Sequence, residues 1–276
     1  MNTLGMHRHY SFSEALFSYR FIKERYPDPD EDGRVRTLNK KGAMFLLPDP
    51  ATEEFIARAP GKKVLEIGGA YGQVMQKVIE KKKTTIYHLN DLDHRHLFIA
   101  AKGLYDRFEE ILTTTKFIKA DITKDELLPE GGYDMILVAR VLHFFSPSQL
   151  KKAIKKIYKL LKPGGSVHGI ALTPYVGCYK RFIPEYEKRK NQGFLFPGYV
   201  ASLASWFNGE GQTALQKNCN PKGPFMFLDD AVLSRVFTEE GFMNIRAEMV
   251  PTPCPSICWA LDHRENVVVY AQKPMI

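Results

Sequence analysis

The apolar and polar positions fall into their clearest order from Lys62 onward. Val64 and Leu65 open a short apolar run through Glu66 and Ile67, glycines follow at once, and between residues 73 and 82 Val74 with Val78 and Met75 with Ile79 recur at helical spacing. This predicts strand, glycine turn and helix. Such a turn brings backbone amides and a helix N-terminus to the carboxyl end of a strand, where a nucleotide-like ligand can approach without meeting a Cβ atom. Apolar runs at 86–90, 116–120, 133–139 and 167–172 predict four more strands, with helices at about 94–108 and, after Ser148, at 149–162. Alternation of this kind argues for a parallel sheet covered on both faces. The end of the chain reads differently. A helix at 231–240 stops at Gly241, and strand patterns at 244–250 and 265–272 follow with a Pro-rich loop between them, so those two strands should pair antiparallel.

Residues 1–61 precede the first strand of that series and read as a helical arm or cap: Ser13 is placed to cap a helix bearing Leu16, Phe17 and Ile22, and Asp49-Pro50 reads as the N-cap and first position of a second, short helix. The arm either covers a ligand or packs on the sheet edge. Residues 62–276 then form the main domain. Within it, residues 174–230 are an insertion rich in aromatic side chains, among them Tyr175, Phe182, Tyr186, Trp206, Phe225 and Phe227. Two readings stand side by side: an aromatic lid over a planar or apolar small molecule, or a second small core that stabilises a long loop.

Composition narrows the partners. With 44% hydrophobic and 25% charged residues the chain is ordinary for a globular protein, and its longest apolar runs are far short of the roughly 20 residues that cross a bilayer, so neither a signal peptide nor a membrane span is expected. Cys178, Cys219, Cys254 and Cys258 lack the close C-x-x-C pairing of structural zinc, and reduced thiols in a cytoplasmic protein are the expectation. A net charge of +8 keeps nucleic acid in view, but Lys151, Lys152, Lys155, Lys156 and Lys159 occupy the polar side of one amphipathic helix, the pattern of a solvated face. The tripeptides His7-Arg8-His9 and His94-Arg95-His96 do not read as metal sites, the second because i and i+2 side chains diverge on a helix, and His88 reads as a satisfied core residue.

The stretch Glu66-Ile67-Gly68-Gly69-Ala70-Tyr71-Gly72 resembles the acid and spaced-glycine signature of the class I S-adenosylmethionine-dependent methyltransferases, with Ala70 in place of the pattern's middle glycine. Asn90-Asp91-Leu92-Asp93 is similar to the family's second motif, Ala120-Asp121-Ile122 to its third, residues 133–138 to its fourth strand and residues 160–165 to the turn before its fifth. The resemblance spans residues 62–274. It implies a Rossmann-like, doubly wound, seven-stranded sheet, mostly parallel with an antiparallel C-terminal strand, and S-adenosyl-L-methionine as methyl donor. A nicotinamide dinucleotide site fits less well, since the third glycine of that fingerprint is Gln73 here.

From the resemblance follow the candidate donor-binding residues: Glu66 at the strand end, the turn of Gly68, Gly69, Ala70 and Gly72, Asp91 with Leu92 at the ribose, Asp121 with Ile122 near the adenine, and Ala139 with Arg140 after the fourth strand. The plain alternatives are a strand-end charge for Glu66, an Asp turn bonding its own backbone for Asp121, and a surface salt bridge for Arg140, which otherwise lines the donor pocket or holds an anionic substrate. Asp93 reads as a helix cap. His143 is a candidate general base, against a histidine packed at a helix start. The function implied is methyl transfer to a small molecule by in-line displacement; the alternatives are a methyltransferase for RNA or a protein side chain, and a binding protein of this fold without catalysis.

Overall fold

The computed structural model describes residues 8–124, 132–207, 223–254, 256 and 258–275. His7, Cys219 and the part of the aromatic stretch from 208 to 222 lie outside the described residues. In chain order the elements that position the site are β1 (Arg8–Ser11), α1 (Phe12–Ser18), β2 (Arg34–Arg36), β3 (Ala43–Phe45), α2 (Pro50–Arg58), β4 (Lys63–Ile67), α3 (Gln73–Lys81), β5 (Ile86–Asp91), α4 (His94–Phe108), β6 (Thr115–Lys119) and β7 (Tyr133–Ala139). There follow α5 (Pro147–Leu160), β8 (Leu161–Leu172), α6 (Ile183–Asn191), β9 (Tyr199–Val200), β10 (Phe225–Met226), α7 (Asp230–Glu239), β11 (Met243–Val250) and β12 (Asn266–Gln272).

One sheet of eight strands carries the fold in the order β1-β6-β5-β4-β7-β8-β12-β11. The five central strands run parallel, β12 lies antiparallel against β8, and β11 against β12. The expected class is therefore present, with eight strands instead of seven because β1 adds antiparallel to the edge at β6, pairing Tyr10 with Phe117. The arm is less helical than its composition suggests. Beside its two helices it supplies this edge strand and a hairpin in which Arg34 faces Phe45 and Val35 faces Met44.

The helix starts follow cap chemistry. Ser11, not Ser13, caps α1, because the reciprocal Ser11–Glu14 bonds satisfy two orphan donors at once, and Ser146 with Gln149 does the same for α5, moving its start ahead of Ser148. Asp49 caps α2 with Pro50 inside the first turn, and Asp93 caps α4 by accepting from the Arg95 amide. Two cores cover the sheet. One is built on α5 and α7 and includes Leu65, Ile136, Ile154 and Leu233; the other is built on α3, α4 and the arm helices and includes Val64, Val78, Leu89 and Phe12. His88 is satisfied inside, Nδ1 lying 2.7 Å from the Tyr133 hydroxyl. No helix of the described residues is long and apolar enough to cross a membrane.

Candidate functional site

After β4 the chain steps outward through β5 to β6 and then returns to place β7 on the other side of β4, so the strand order reverses between β4 and β7. Loops diverge at such a point and leave a crevice outside the carboxyl ends of the strands. An open cleft lies there. Its floor holds Glu66, Gly68, Gly69 and Ala70 from the end of β4, Asp91 and Leu92 from β5, Asp121 and Ile122 from β6, and Ala139 and Arg140 from β7. Ten of the candidate residues thus meet in one place.

The turn itself is built differently from the bare cradle its glycines suggest. The amides of Gly68 and Gly69 both donate to the Asn90 carbonyl at 2.8 and 3.1 Å, and the Ala70 amide donates to Asp91 Oδ2 at 3.0 Å. These donors bind the turn to β5, so its value to a ligand is close backbone approach rather than free N–H groups. Gly68 adopts φ 69° and a Cβ there would lie 2.4 Å from Val141 Cγ2, which is why this position requires glycine. Gly72 does not line the cleft. A Cβ on it would meet Met75, Ala100 and Leu89, so its role is to let α3 pack on α4 and β5. Ala70 also sits in the left-handed region, at φ 44°, and its methyl joins Val35, Tyr71 and Ile99 in a small buried cluster.

Asp91 is the hub. Its Oδ1 accepts from the Asp93 amide at 2.9 Å and lies 3.0 Å from His96 Nδ1, while Oδ2 holds Ala70. Three protein donors leave part of the acceptor capacity of a carboxylate for a ligand hydroxyl. His96 Nε2 accepts the Leu38 amide at 2.9 Å, so the proton is on Nδ1 and the ring links the arm to Asp91 with both nitrogens engaged. Tyr71 adds a second tether by donating its hydroxyl to the Arg36 carbonyl at 2.6 Å. Glu66 is 3% exposed and accepts from the Tyr87 hydroxyl at 2.7 Å; burial raises its pKa to about 8, the Tyr87 bond opposing that rise, which favours the protonated acid at neutral pH. Asp121 makes the self-bonded turn, Oδ1 accepting from the Thr123 amide and hydroxyl, while its residue still faces the cleft.

Arg140 adopts φ 59°, with its amide donating to Ile170 of β8 at 2.8 Å. Its Nη1 donates to Asn266 Oδ1 at 2.7 Å, its guanidinium carbon lies 4.2 Å from the Phe45 ring centroid, and burial lowers its pKa. His143 stands apart from the cleft lining. It is buried between Phe144 and Phe225, the Leu172 amide donates to its Nδ1 at 3.3 Å, and burial lowers its pKa to about 3, so the ring is neutral with its proton on Nε2. In this arrangement it is a donor, with no free lone pair to take a proton.

The roof comes from the arm. Thr37, Ala43, Met44, Phe45, Leu46, Asp49 and Thr52 line the cleft, and only Asp49 among them carried a sequence signal, as a helix cap. No described residue of the aromatic insertion does. Tyr175, Phe182, Tyr186, Phe225 and Phe227 pack on one another with Val200 and Leu203, and Tyr186 donates to the buried Asp229 that caps α7. The expected aromatic lid is therefore, in its described part, a second core.

Residues 65–167 match the family model of a methyltransferase domain. Among curated proteins, the chain is 28% identical over 193 residues to the hybrid PKS-NRPS synthetase mpsA of Macrophomina phaseolina (strain MS6), covering 68% of this chain and 4% of that one. The chain thus spans about one twenty-fifth of that relative's length. Among solved structures, it matches a SAM-dependent methyltransferase of Methanosarcina mazei with a TM-score of 0.56 at 14% identity, covering 84% of this chain and 100% of the other. It also matches the 1,6-didemethyltoxoflavin-N1-methyltransferase of Burkholderia thailandensis, solved with 1,6-didemethyltoxoflavin and S-adenosylhomocysteine, with a TM-score of 0.53 at 15% identity, over 82% of this chain and 77% of that one. At those identities the two structures speak to the fold.

Proposed function

We propose that this chain, whose residues 65–167 match the family model of a methyltransferase domain, is a class I S-adenosylmethionine-dependent methyltransferase that moves a methyl group to a small-molecule acceptor held beside the donor in the cleft between β4 and β7. When bound, S-adenosylmethionine supplies a methyl carbon already activated on a sulfonium. The residues present suit that donor. Asp91 has acceptor capacity for a ribose diol, Leu92 and Ile122 offer apolar faces for a purine, and Glu66 is a buried acid that an ammonium group would ionise. Glycine at 68 permits close backbone approach.

The chain's own contribution is alignment and exclusion of water, which can supply about 7 to 11 kcal/mol of barrier lowering. The single observation that carries the reading is the roof: the arm that lines the cleft is held beside it by Leu38 to His96 and Arg36 to Tyr71, which suits a small acceptor better than a polymer. The likeness to a synthetase of the hybrid PKS-NRPS kind supports the same choice. Lys41 and Lys77 line the cleft, but the five lysines of α5 do not, so the largest cluster of positive charge does not argue for RNA there. The candidate base His143 is best read as a packing residue, and the reading therefore carries no base from that position.

Two measurements test the proposal. Calorimetry with S-adenosylhomocysteine is expected to show binding that is weakened by Asp91→Asn. Incubation with methyl-labelled donor and separated small-molecule, RNA and protein fractions of a cell extract is expected to label the first; label confined to RNA or protein would overturn the assignment of acceptor class.

A further inference from the structure

Resting on the reading just given, we propose that the acceptor carries an anionic oxygen group, a carboxylate or a phosphate, and that Arg140 is the residue that selects it.

The argument begins with a cation whose protein partners are incomplete. The Arg140 side chain is 90% buried and lines the cleft, and Nη2 has no hydrogen-bond partner. The one carboxylate within 4 Å of it among the described residues, Asp49, lies 3.8 Å away and already accepts from the Thr52 amide and hydroxyl, each at 3.0 Å. Asn266 is neutral. A buried guanidinium with an unmade hydrogen bond is costly, since such a donor forfeits its solvation without return, and a planar fork of donors matches a carboxylate or phosphate better than any neutral group. The backbone holds the group there at some expense, for a non-glycine residue at φ 59° is strained by about 1 to 2 kcal/mol.

Position separates this cation from the donor's own carboxylate. Gly68 packs on Val141, the next residue along, while Arg140 turns the other way, its amide on β8 and its guanidinium on Asn266 of β12. The order β4-β7-β8-β12 puts β12 three strand spacings from β4, about 14 Å. The carboxylate and ammonium of an amino acid sit on one carbon. On that placement the group that reaches Arg140 is assigned to a second molecule, and the 5′-methylthioadenosine comparison below separates it from the donor's carboxylate.

Arg34 is the competing candidate. Two of its nitrogens, Nε and Nη1, are also unpartnered, and its guanidinium lies 4.9 Å from the Trp259 ring centroid. It is excluded as the contact because Asp30 and Asp32 already hold its Nη2 at 3.1 and 2.6 Å and it does not line the cleft.

The test uses the full chain saturated with S-adenosylhomocysteine and three probes on one phenyl ring: benzoate, phenyl phosphate and the neutral benzamide, an isostere of benzoate, with affinities read by calorimetry or saturation-transfer NMR. At least one anion is expected to bind tenfold or more tightly than benzamide, benzoate leading for a carboxylate site and phenyl phosphate for a phosphate site. Arg140→Gln should abolish the preference and Arg140→Lys restore part of it. Benzamide binding as tightly as both anions, no binding of either anion, or a preference that survives Arg140→Gln would each overturn the proposal. So would a tenfold loss of S-adenosylhomocysteine affinity in Arg140→Gln with 5′-methylthioadenosine, which lacks the amino acid, unaffected, because Arg140 would then serve the donor's carboxylate. If Arg140→Gln fails to fold, the comparison of anion with benzamide on the unaltered chain still decides. Failure of S-adenosylhomocysteine to bind the unaltered chain would instead sink the function on which this inference rests.

Discussion

The hairpin of β2 and β3 and the aromatic insertion around α6 present opposite relations between composition and position. The hairpin is two strands of three residues, rich in charge, yet it roofs the cleft and is tied to the site floor through Tyr71 and His96. The insertion holds a dense set of aromatic rings, yet its described members bury themselves against one another. Aromatic side chains remove the most apolar area from water when they meet each other, so a cluster of them in sequence is first a core. The cleft is marked instead by buried polar groups, the unpartnered Nη2 of Arg140 and the buried acid of Glu66. The two regions should accordingly fail in different ways when altered.

The largest effect is expected from Phe182→Ala. Phe182 is 0% exposed and touches the rings of Tyr186, Trp206 and Phe227, so truncation should cost about 3 to 5 kcal/mol of stability. The protein that remains folded should bind S-adenosylhomocysteine within about twofold of the unaltered chain, since lost transfer and cavity energy belong to the insertion's core. Chemical unfolding with calorimetry on the folded fraction checks both. A stability loss below 1 kcal/mol with a large affinity loss would reverse the comparison and restore the aromatic lid.

Asp91→Asn acts on the roof's tether and the proposed ribose contact together. Replacing a charged acceptor by a neutral amide removes charge-assisted bonds worth about 1.5 to 3 kcal/mol, so donor affinity should fall roughly 10- to 150-fold. The same change leaves the His96 Nδ1 proton and the Asp93 and Ala70 amides competing for one carbonyl oxygen. Backbone amides of residues 34–45 should then exchange hydrogen faster while those of β9 and β10 keep their protection. Unchanged affinity would remove Asp91 from the donor site, and unchanged exchange would remove His96 as the link to the roof.

How much of this was legible from the residues depends on how far each pattern extends. Helices such as α4 and α5 and strands such as β5 and β7 are long enough for the 3.6- and 2-residue periods to declare themselves. β1, β2 and β3 are too short for any period, and their pairing is set by tertiary partners: Tyr10 against Phe117, Val35 against Met44. The caps at Ser11 and Ser146 carry the Ser-x-x-Glu and Ser-x-x-Gln pattern, yet a serine also stands two residues later in each case, and the helix starts are expected there, at Ser13 and Ser148. The floor of the cleft was legible because acids and glycines at strand ends mark the switch point in any such sheet. Gly72 shows the converse, since a glycine that lets helices pack looks the same in sequence as one that lets a ligand approach. The Arg140 side chain could not be placed, because its course toward β12 depends on Asn266, 126 positions away.

The pH dependence of donor binding is a smaller effect that tests the polar half of the comparison. Burial raises the Glu66 pKa to about 8, which favours its protonated form at neutral pH, and a bound ammonium favours its ionised form. Binding then releases a proton at neutral pH, and affinity should rise with pH toward 8 by up to about tenfold per unit, or 1.4 kcal/mol. Calorimetry in buffers of different ionisation enthalpy reads the proton count directly. In Glu66→Gln the slope below pH 8 should flatten; a slope unchanged by that substitution would mean the proton comes from elsewhere and that the donor's ammonium does not meet Glu66.

The smallest effect is expected where the roof touches the turn. Ala70 holds φ 44°, a conformation costing a residue with a Cβ about 1 to 2 kcal/mol, and yet its methyl shares a buried cluster with Val35 of the hairpin. Ala70→Gly relieves that strain but forfeits the contact, worth about 0.8 kcal/mol for one buried carbon, and adds about 0.5 to 1 kcal/mol of backbone entropy to the unfolded chain. The terms nearly cancel, and stability should change by less than about 1 kcal/mol. The roof is where the substitution should be felt. Exchange at Val35 and Leu38 is expected to quicken and S-adenosylhomocysteine affinity to fall a few-fold, with the insertion untouched. A clear gain in stability with exchange at Val35 unaltered would mean that the methyl at position 70 is strain alone, and that the hairpin is held over the cleft only by its polar tethers.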